Sequence, residues 1–260
     1  MGHSLRAMTF NTHGGIGTDG RLDLERMACA ISAESPDVVA LQEVHRHFSS
    51  ATKFVDQAAW FAERLGMQLA FGANLDLGPA RPGAPRRQYG NALLSRYPVL
   101  EWDNVLLPNR PGFEQRGLLR IRIQPDEAPM WVYCTHLQHN SATERVNQAT
   151  AIRHALARAE EPLVLLGDLN ATPNSTEVRA VKSFLLDAWP LVNTGKGYTH
   201  ESRRPRRRID YAFISIGDIA VRGMSVVSSD ASDHLPAVVE LALLPPLRAS
   251  ALESAVESSS

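Results

Sequence analysis

Eight polar residues stand where apolar, strand-like runs of this sequence end. They comprise four carboxylates, two amides and two imidazoles: Asn11, Glu43, His136, Asp168, Asn170, Asp210, Asp233 and His234. Hard divalent cations such as Mg²⁺ bind oxygen ligands, and imidazoles can hold or transfer a proton beside a phosphoryl group. If the fold gathers these strand ends, their side chains suit the metal-assisted hydrolysis of a phosphate ester.

The segment LLGDLNATP, residues 165–173, is the strongest single motif. Asp168 and Asn170 stand two positions apart after an apolar run, so both face one ligand if the backbone stays extended. Asp and Asn are also common in ordinary turns, and this motif alone does not separate the two interpretations.

Two motifs near the C-terminus add a carboxylate and imidazole pair. In SSDASDHLPAVVEL, residues 228–241, Asp233 and His234 directly precede a predicted strand. A carboxylate beside an imidazole suits hydrolytic chemistry, and a capped strand start is the alternative interpretation of that pair. In RRRIDYAFIS, residues 206–215, Asp210 lies between apolar neighbours, where a carboxylate needs a partner. We expect His234 to be that partner.

Each of three further predicted strands ends with one residue of the set. Glu43 ends the buried run in VVALQEVH, and Mg²⁺ commonly takes one or two carboxylates plus water and phosphate oxygens. A Glu at a strand end is otherwise an ordinary surface residue. Asn11 in MTFNTHGG and His136 in YCTHLQHN end their strands in the same way.

Alternating strands and helices must position these side chains. Period-two and buried apolar runs predict strands at 5–11, 37–43, 67–71, 90–95, 117–123, 130–136, 163–168, 209–215, 219–227 and 237–243. Helical spacing predicts helices after residue 24, at 54–65 and from Ser141 to about residue 159, with a shorter helix capped by Asn174. Strands that follow each other directly, with helices between others, indicate an α/β (α+β) fold with mixed sheets.

Size and composition favour one catalytic domain over residues 1–244. The chain has 260 residues, 44% of them apolar, while residues 245–260 are rich in Ala, Ser and Glu and are predicted to form a disordered tail. The net charge of −1 lacks the broad basic footprint of a strong duplex binder. Clusters of basic residues that could attract an anion occur in two loops, 78–88 and the arginine-rich 201–208. The second loop leads into Asp210.

Two cysteines cannot form a disulfide framework, and we expect Cys29 and Cys134 to be buried thiols. The N-terminus does not resemble a secretory signal, and no apolar run approaches the about 20 residues of a membrane span. We expect a cytoplasmic monomer without a transmembrane segment.

Taken together, the ordered blocks FNTHGG, LQE, GNALLSR, THL, GDLNATP, RIDYAF and SDHLP resemble the endonuclease/exonuclease/phosphatase (DNase I-like) superfamily over residues 5–243. The resemblance implies a four-layer sandwich of two packed mixed β-sheets flanked by helices, with the site at one end. It also implies a divalent cofactor, Mg²⁺ or Mn²⁺. Glu43 would be the main metal ligand, with Asn11 and Asp233 as direct or water-bridged ligands.

The same resemblance implies roles for the other residues of the set. Asp168 would orient or deprotonate the attacking water, Asn170 and His136 would hold phosphate oxygens, and Asp210 would orient His234. Whether Asp168 or His234 is the base is not decided by the pattern; we assign Asp168 and make His234 a transition-state contact. Five further residues are predicted to bind substrate or support the site, although each could be an ordinary loop or surface residue: Asn91, Arg116, His13, His139 and Tyr89.

We therefore predict a metal-dependent phosphoric ester hydrolase acting on a small or lipid-derived phosphodiester. A nuclease acting on DNA or RNA is the alternative, disfavoured because aromatic residues are 7% of the chain and basic residues sit in short loops. An inactive phosphate-binding module is the second alternative.

His45 and His47 form an H-x-H pair typical of barrel amidohydrolases, but that fold needs eight βα units. Serine-hydrolase and P-loop motifs are not found.

Overall fold

Residues 4–125, 128–157 and 159–244 are described by the computed structural model, and they form twelve strands and five α-helices. The strands are β1 (Ser4–Asn11), β2 (Val38–Arg46), β3 (Gln68–Leu77), β4 (Arg87–Ser95), β5 (Glu101–Leu106), β6 (Gly117–Ile123), β7 (Met130–His136), β8 (Leu163–Asp168), β9 (Leu186–Asp187), β10 (Asp210–Ile214), β11 (Ile219–Val226) and β12 (Ala237–Leu243). The helices are α1 (Leu24–Ala33), α2 (Gln57–Leu65), α3 (Ala142–Leu156), α4 (Thr176–Lys182) and α5 (Trp189–Val192). The predicted tail at 245–260 lies outside the described residues.

Two six-stranded sheets pack face to face. Their strand orders are β11-β12-β1-β2-β4-β3 and β5-β6-β7-β8-β10-β9. The pairs β1/β2 and β7/β8 are parallel and the other pairs are antiparallel, so both sheets are mixed. Helices cover both outer faces. The predicted four-layer sandwich is therefore confirmed.

Period-two alternation divides the core into three layers of side chains. In β1, Leu5 and Ala7 face the space between the sheets, whereas Met8 and Phe10 pack under α1 and α2. The second sheet follows the same rule: its inner face joins the central cluster and its outer face packs against α3 and α4. Each central strand is thus buried on both faces, which is why these strands read as nearly continuous apolar runs.

Side-chain caps fix where the helices begin. Ser141 caps α3 as predicted, since its Oγ accepts a hydrogen bond from the Glu144 amide. Ser175, and not the predicted Asn174, caps α4 by accepting from the Val178 amide. α2 begins at Gln57, later than predicted, because Asp56 caps it and residues 50–52 form a separate 3-10 turn.

Several sequence predictions need correction. β5 was not predicted because it is an edge strand exposed along most of its length, so it carries no apolar alternation. Cys29 is exposed, contrary to expectation: the buried face of α1 holds Met27, Ala28 and Ile31, and position 29 points away from it. Cys134 is buried between the sheets, as expected.

None of the described helices combines the length and apolar character needed to cross a membrane.

Candidate functional site

Two parallel strand pairs, one in each sheet, bring four of the predicted residues together. Asn11, His136 and Asp168 are the last residues of β1, β7 and β8, and Glu43 lies within β2, beside β1. β10 runs antiparallel to β8, so its first residue, Asp210, pairs directly with Asp168. Residues 136, 168 and 210 are thereby brought to one edge although they are far apart in sequence.

Asn11 joins the two sheets at this edge. Its Nδ2 donates to Glu43 Oε1 at 3.0 Å and to Asp168 Oδ2 at 3.1 Å. Its Oδ1 accepts from the His13 amide at 3.0 Å. One buried amide therefore holds two carboxylates at fixed separation, which a mobile side chain could not do.

Glu43 lies at a β-bulge inside β2. The register with β4 shifts between Leu41 and Val44, and Glu43 has φ +58°, a left-handed conformation rare for a non-glycine residue. Bulges redirect a side chain, and here the carboxylate turns toward the cleft instead of following the alternation of the strand. The sequence placed Glu43 at a strand end, whereas β2 continues to Arg46.

Asp168 and Asn170 are brought together by a turn and not by an extended backbone. Asn170 has φ +50°, and its amide donates to Asp168 Oδ1 at 2.7 Å. The residue before Asp168 must be a glycine, because a Cβ on Gly167 would lie 2.0 Å from the Thr135 carbonyl oxygen. The turn interpretation of this motif is therefore confirmed, and the turn holds the Asp168 carboxylate and the Asn170 amide side by side.

His234 is paired with Asp210, the partner expected for it. Its Nδ1 lies 2.9 Å from Asp210 Oδ2, and both side chains are buried. Burial opposes the charged imidazolium, but the negative charges of Asp210 and Asp168 outweigh it and raise the pKa of His234. Burial, followed by repulsion from Asp210, raises the pKa of the Asp168 carboxyl.

His136, unlike His234, is neutral. Burial and the neighbouring Arg116 guanidinium lower its pKa well below the usual value. Arg116 Nη1 lies 2.8 Å from His136 Nδ1, and Asn170 Nδ2 lies 2.9 Å from His136 Nε2. Both neighbours are hydrogen-bond donors, so they disfavour an imidazolium that carries a proton on each nitrogen. Asp168 Oδ2 lies farther from Nε2, at 3.6 Å.

A cleft of about 290 Å³ opens over these groups. Nine of the predicted residues line it: Glu43, Tyr89, Arg116, His136, His139, Asp168, Asn170, Asp233 and His234. Arg116 also donates to His139 Nδ1 at 3.3 Å, so this buried guanidinium positions both histidines on that side of the cleft.

The other four predicted residues lie behind or beside the cleft. Asn11 and Asp210 support the lining residues through the hydrogen bonds given above. Asn91 is buried and donates to the Gly117 carbonyl at 3.3 Å, so it supports the strands and does not face the cleft. His13 lines a neighbouring pocket, with Nδ1 3.7 Å from Asp233 Oδ1.

Two lining residues were missed by sequence reasoning. Glu114 pairs with Arg116 at 2.8 Å. His200 lies with Nε2 3.8 Å from Asp233 Oδ2 and its ring centroid 4.7 Å from that of His234. Both residues come from loops without an apolar run before them, so the rule that selected strand ends could not find them.

The donor set fits a hard divalent cation. Four carboxylates line the cleft against a single arginine, so a phosphate ester would meet net negative charge unless a cation were bound. Glu43 and Asp233 supply oxygen ligands of the type that Mg²⁺ and Mn²⁺ prefer.

The H-x-H pair does not form a metal site. His45 Nδ1 contacts Thr52 Oγ1 at 3.1 Å, and His47 Nδ1 contacts the Phe54 carbonyl oxygen at 2.8 Å. The two-sheet sandwich also excludes the barrel that an amidohydrolase needs.

Comparisons with known proteins agree with this architecture. The uncharacterized protein YbhP of Escherichia coli (strain K12) is 29% identical over 177 residues, covering 64% of this chain and 67% of YbhP. A crystal structure of an endonuclease/exonuclease/phosphatase from Beutenbergia cavernae DSM 12333 is 32% identical with a TM-score of 0.80, covering 92% of this chain and 72% of that one. The mannosyl-6-phosphatase Bt3783 of Bacteroides thetaiotaomicron VPI-5482 shares the fold at 17% identity, with a TM-score of 0.73 and coverage of 91% and 99%.

The family model of the Endonuclease/Exonuclease/phosphatase family matches residues 8–234, a span that contains every residue of the cleft described above. The chain therefore belongs to the endonuclease/exonuclease/phosphatase family.

Proposed function

We propose that this protein is a divalent-metal-dependent phosphodiesterase that acts on a small or lipid-derived phosphodiester by in-line attack of water. One observation carries the proposal. Asp168 Oδ2 lies between two imidazoles, 3.6 Å from His136 Nε2 and 3.7 Å from His234 Nε2. A carboxylate flanked by two imidazole nitrogens suits a centre where water attacks and negative charge develops on phosphoryl oxygens.

The protonation states support a division of roles. Because the raised pKa of His234 keeps it protonated at neutral pH, it can donate to a phosphoryl oxygen but cannot accept a proton from water. Asp168 is then the base or the group that orients the water, since its raised pKa makes it more basic than an ordinary carboxylate. Neutral His136 and the Asn170 amide would add polar contacts to the phosphate oxygens.

Glu43 and Asp233, with Asn11 supporting, would hold the cation, Mg²⁺ or Mn²⁺. When bound, the cation supplies positive charge that polarises the phosphoryl group and offsets the carboxylates of the cleft. Tyr89, Arg116 and His139 border the space left for the ester. A cytoplasmic location and a monomeric state stay predictions.

The first experiment measures hydrolysis of bis(p-nitrophenyl) phosphate with Mg²⁺ or Mn²⁺ and after chelation. We expect turnover that needs the cation and is lost in Asp168→Asn. Asp218→Asn is the matched control, because Asp218 is exposed in the loop between β10 and β11, at the end of β10 opposite Asp210. Turnover by Asp168→Asn at the wild-type rate would contradict the proposal, and a metal-binding protein without any turnover would instead be an inactive phosphate-binding module.

A substrate panel separates the remaining alternatives. It should include plasmid DNA, abasic duplex, RNA, cyclic nucleotides, glycerophosphodiesters, inositol phosphates and sugar phosphates. The last class is added because the mannosyl-6-phosphatase of similar fold is named for a phosphomonoester. Plasmid nicking at the rate of a dedicated nuclease, abolished in His234→Ala, would favour the nuclease alternative over a small phosphodiester.

A further inference from the structure

A second pocket, of about 450 Å³, lies beside the cleft. Three segments form it: the loop after β8, α5 with the residues that follow it, and the arginine-rich residues before β10. We call it the basic pocket and define it by Thr172, Trp189, Lys196, Tyr198, Arg206 and Arg207. The basic pocket shares a wall with the cleft: Nη2 of Arg207, which lines the pocket, lies 2.8 Å from Nδ1 of His200, which lines the cleft.

The basic pocket carries unneutralised positive charge. Lys196 and Arg206 are exposed, and neither has an acidic partner among the described residues. No acidic side chain is among the described residues that line the pocket. Arg208, on the deeper wall, is by contrast neutralised by Asp187 through two hydrogen bonds of 2.8 and 2.7 Å.

The wall that presents Lys196 is held in place by an aromatic ring. Trp189 Nε1 donates to the Gly195 carbonyl at 2.7 Å. Gly197 has φ +61°, and a Cβ there would lie 2.4 Å from the Trp189 ring, so its backbone packs directly on the indole. Lys196 is thus fixed at its backbone between two contacts with Trp189, although its side chain is free to reach an anion.

From this geometry we infer that the basic pocket binds a second phosphate group of the substrate, on the same molecule as the ester cleaved in the neighbouring cleft. The inference rests on the proposed function and extends it to the substrate class: phosphate esters that carry at least two phosphates. Guanidinium and ammonium groups that converge without acidic partners are suited to a phosphate dianion. The second phosphate would approach between Arg206, Arg207 and Lys196.

The test compares esters that differ only in the second phosphate. The first probe is the p-nitrophenyl ester of thymidine 5′-phosphate, and the second is the same ester with a 3′-phosphate. A third carries a 3′-linked thymidine, so that its second phosphate is a diester. We expect the 3′-phosphate to lower KM about tenfold with little change in kcat, as converging charge-assisted contacts would produce.

The variants separate a local site from general attraction by a basic surface. Replacing both Lys196 and Arg206 by alanine should remove the advantage of the second phosphate and leave hydrolysis of the first probe unchanged. Replacing both Arg203 and Arg204 by alanine is the matched control: it likewise removes two positive charges, from the loop that carries Arg206, yet neither residue lines the pocket. An advantage that is absent in the wild type, or lost equally in this control, would overturn the inference.

A binding measurement keeps this inference distinct from the proposed function. Isothermal titration with thymidine 3′,5′-bisphosphate and with thymidine 5′-monophosphate needs no turnover. Tighter binding of the bisphosphate that depends on Lys196 and Arg206 supports the pocket even if no ester is cleaved. Cleavage without any preference for the bisphosphate supports the proposed function and refutes phosphate binding in the basic pocket. If the pocket is supported, the three ester probes identify its ligand. A lower KM for both the 3′-linked thymidine and the 3′-phosphate identifies a nucleic-acid strand. A lower KM for the 3′-phosphate alone identifies a small bisphosphate.

Discussion

Asp210→Asn changes one charge behind the cleft while keeping the shape of the side chain. Asp210 does not line the cleft, but its Oδ2 accepts from His234 Nδ1 at 2.9 Å, and both side chains are buried. A hydrogen bond to a charged group contributes about 1.5–3 kcal/mol and one between neutral partners about 0.5–1.5 kcal/mol. The asparagine oxygen still accepts from His234, so the loss is about 1–1.5 kcal/mol in the transition state, a fall in kcat of about 5- to 13-fold. KM should change less, because Asp210 acts through His234.

The pH profile tests this reasoning more specifically than the rate does. The negative charge of Asp210 favours the protonated forms of His234 and Asp168, and so contributes to raising the pKa of each. Removing that charge lowers both pKa values. The alkaline limb, where His234 loses its proton, and the acidic limb, where Asp168 gains one, should therefore both move to lower pH.

The assay is steady-state hydrolysis of bis(p-nitrophenyl) phosphate at saturating Mg²⁺ across the pH range, with urea unfolding to show that the variant is folded. A kcat within about threefold of wild type, together with an unmoved pH profile, would refute the argument. A lower rate with unmoved limbs would mean that Asp210 supports the fold of β10 and does not tune His234.

Three further predictions concern separate parts of the molecule. Glu43→Gln should raise the Mg²⁺ concentration for half-maximal activity by about 10- to 100-fold, and an unchanged Mg²⁺ titration would rule out Glu43 as a ligand. Arg208→Ala should lower the free energy of unfolding in urea by about 3–5 kcal/mol, because it leaves a buried carboxylate unpaired, whereas Arg204→Ala should change it by less than about 0.5 kcal/mol. A thiol reagent should modify exposed Cys29 in the folded protein but not Cys134, since burial raises the pKa of that thiol to about 12; rapid loss of both thiols would contradict this packing.

The arginine-rich loop shows how far a sequence pattern can mislead when its members are treated alike. The sequence indicated a single anion-attracting run before β10. In the structure, Arg208 is a buried partner of Asp187 and packs over the Tyr211 ring, 4.6 Å from its centroid, while Arg206 and Arg207 line the basic pocket. Neighbouring positions in a loop point in different directions, so charge that is continuous in sequence is divided in space.

Residues at strand ends were the easiest to find. Asp168 and His136 follow runs so apolar that only a central strand can contain them, and the chemistry of the side chain that ends such a run is visible directly. Glu114 and His200 come from irregular loops, where no periodicity marks a direction for the side chain. The bulge that aims Glu43 was equally hidden, because an extra residue in one strand is defined only by its register against the neighbouring strand.

The sequence by itself determined the central strands and their buried faces, the longer helices and the inventory of acid, amide and imidazole groups, because hydrophobic periodicity and side-chain chemistry are local properties. Only the tertiary structure decided which groups meet. Asn11 bridges Glu43 and Asp168 across two sheets, and the buried charge of Asp210 sets the protonation of His234. Such contacts depend on strand order, register and burial, which arise when distant parts of the chain pack together and exclude water.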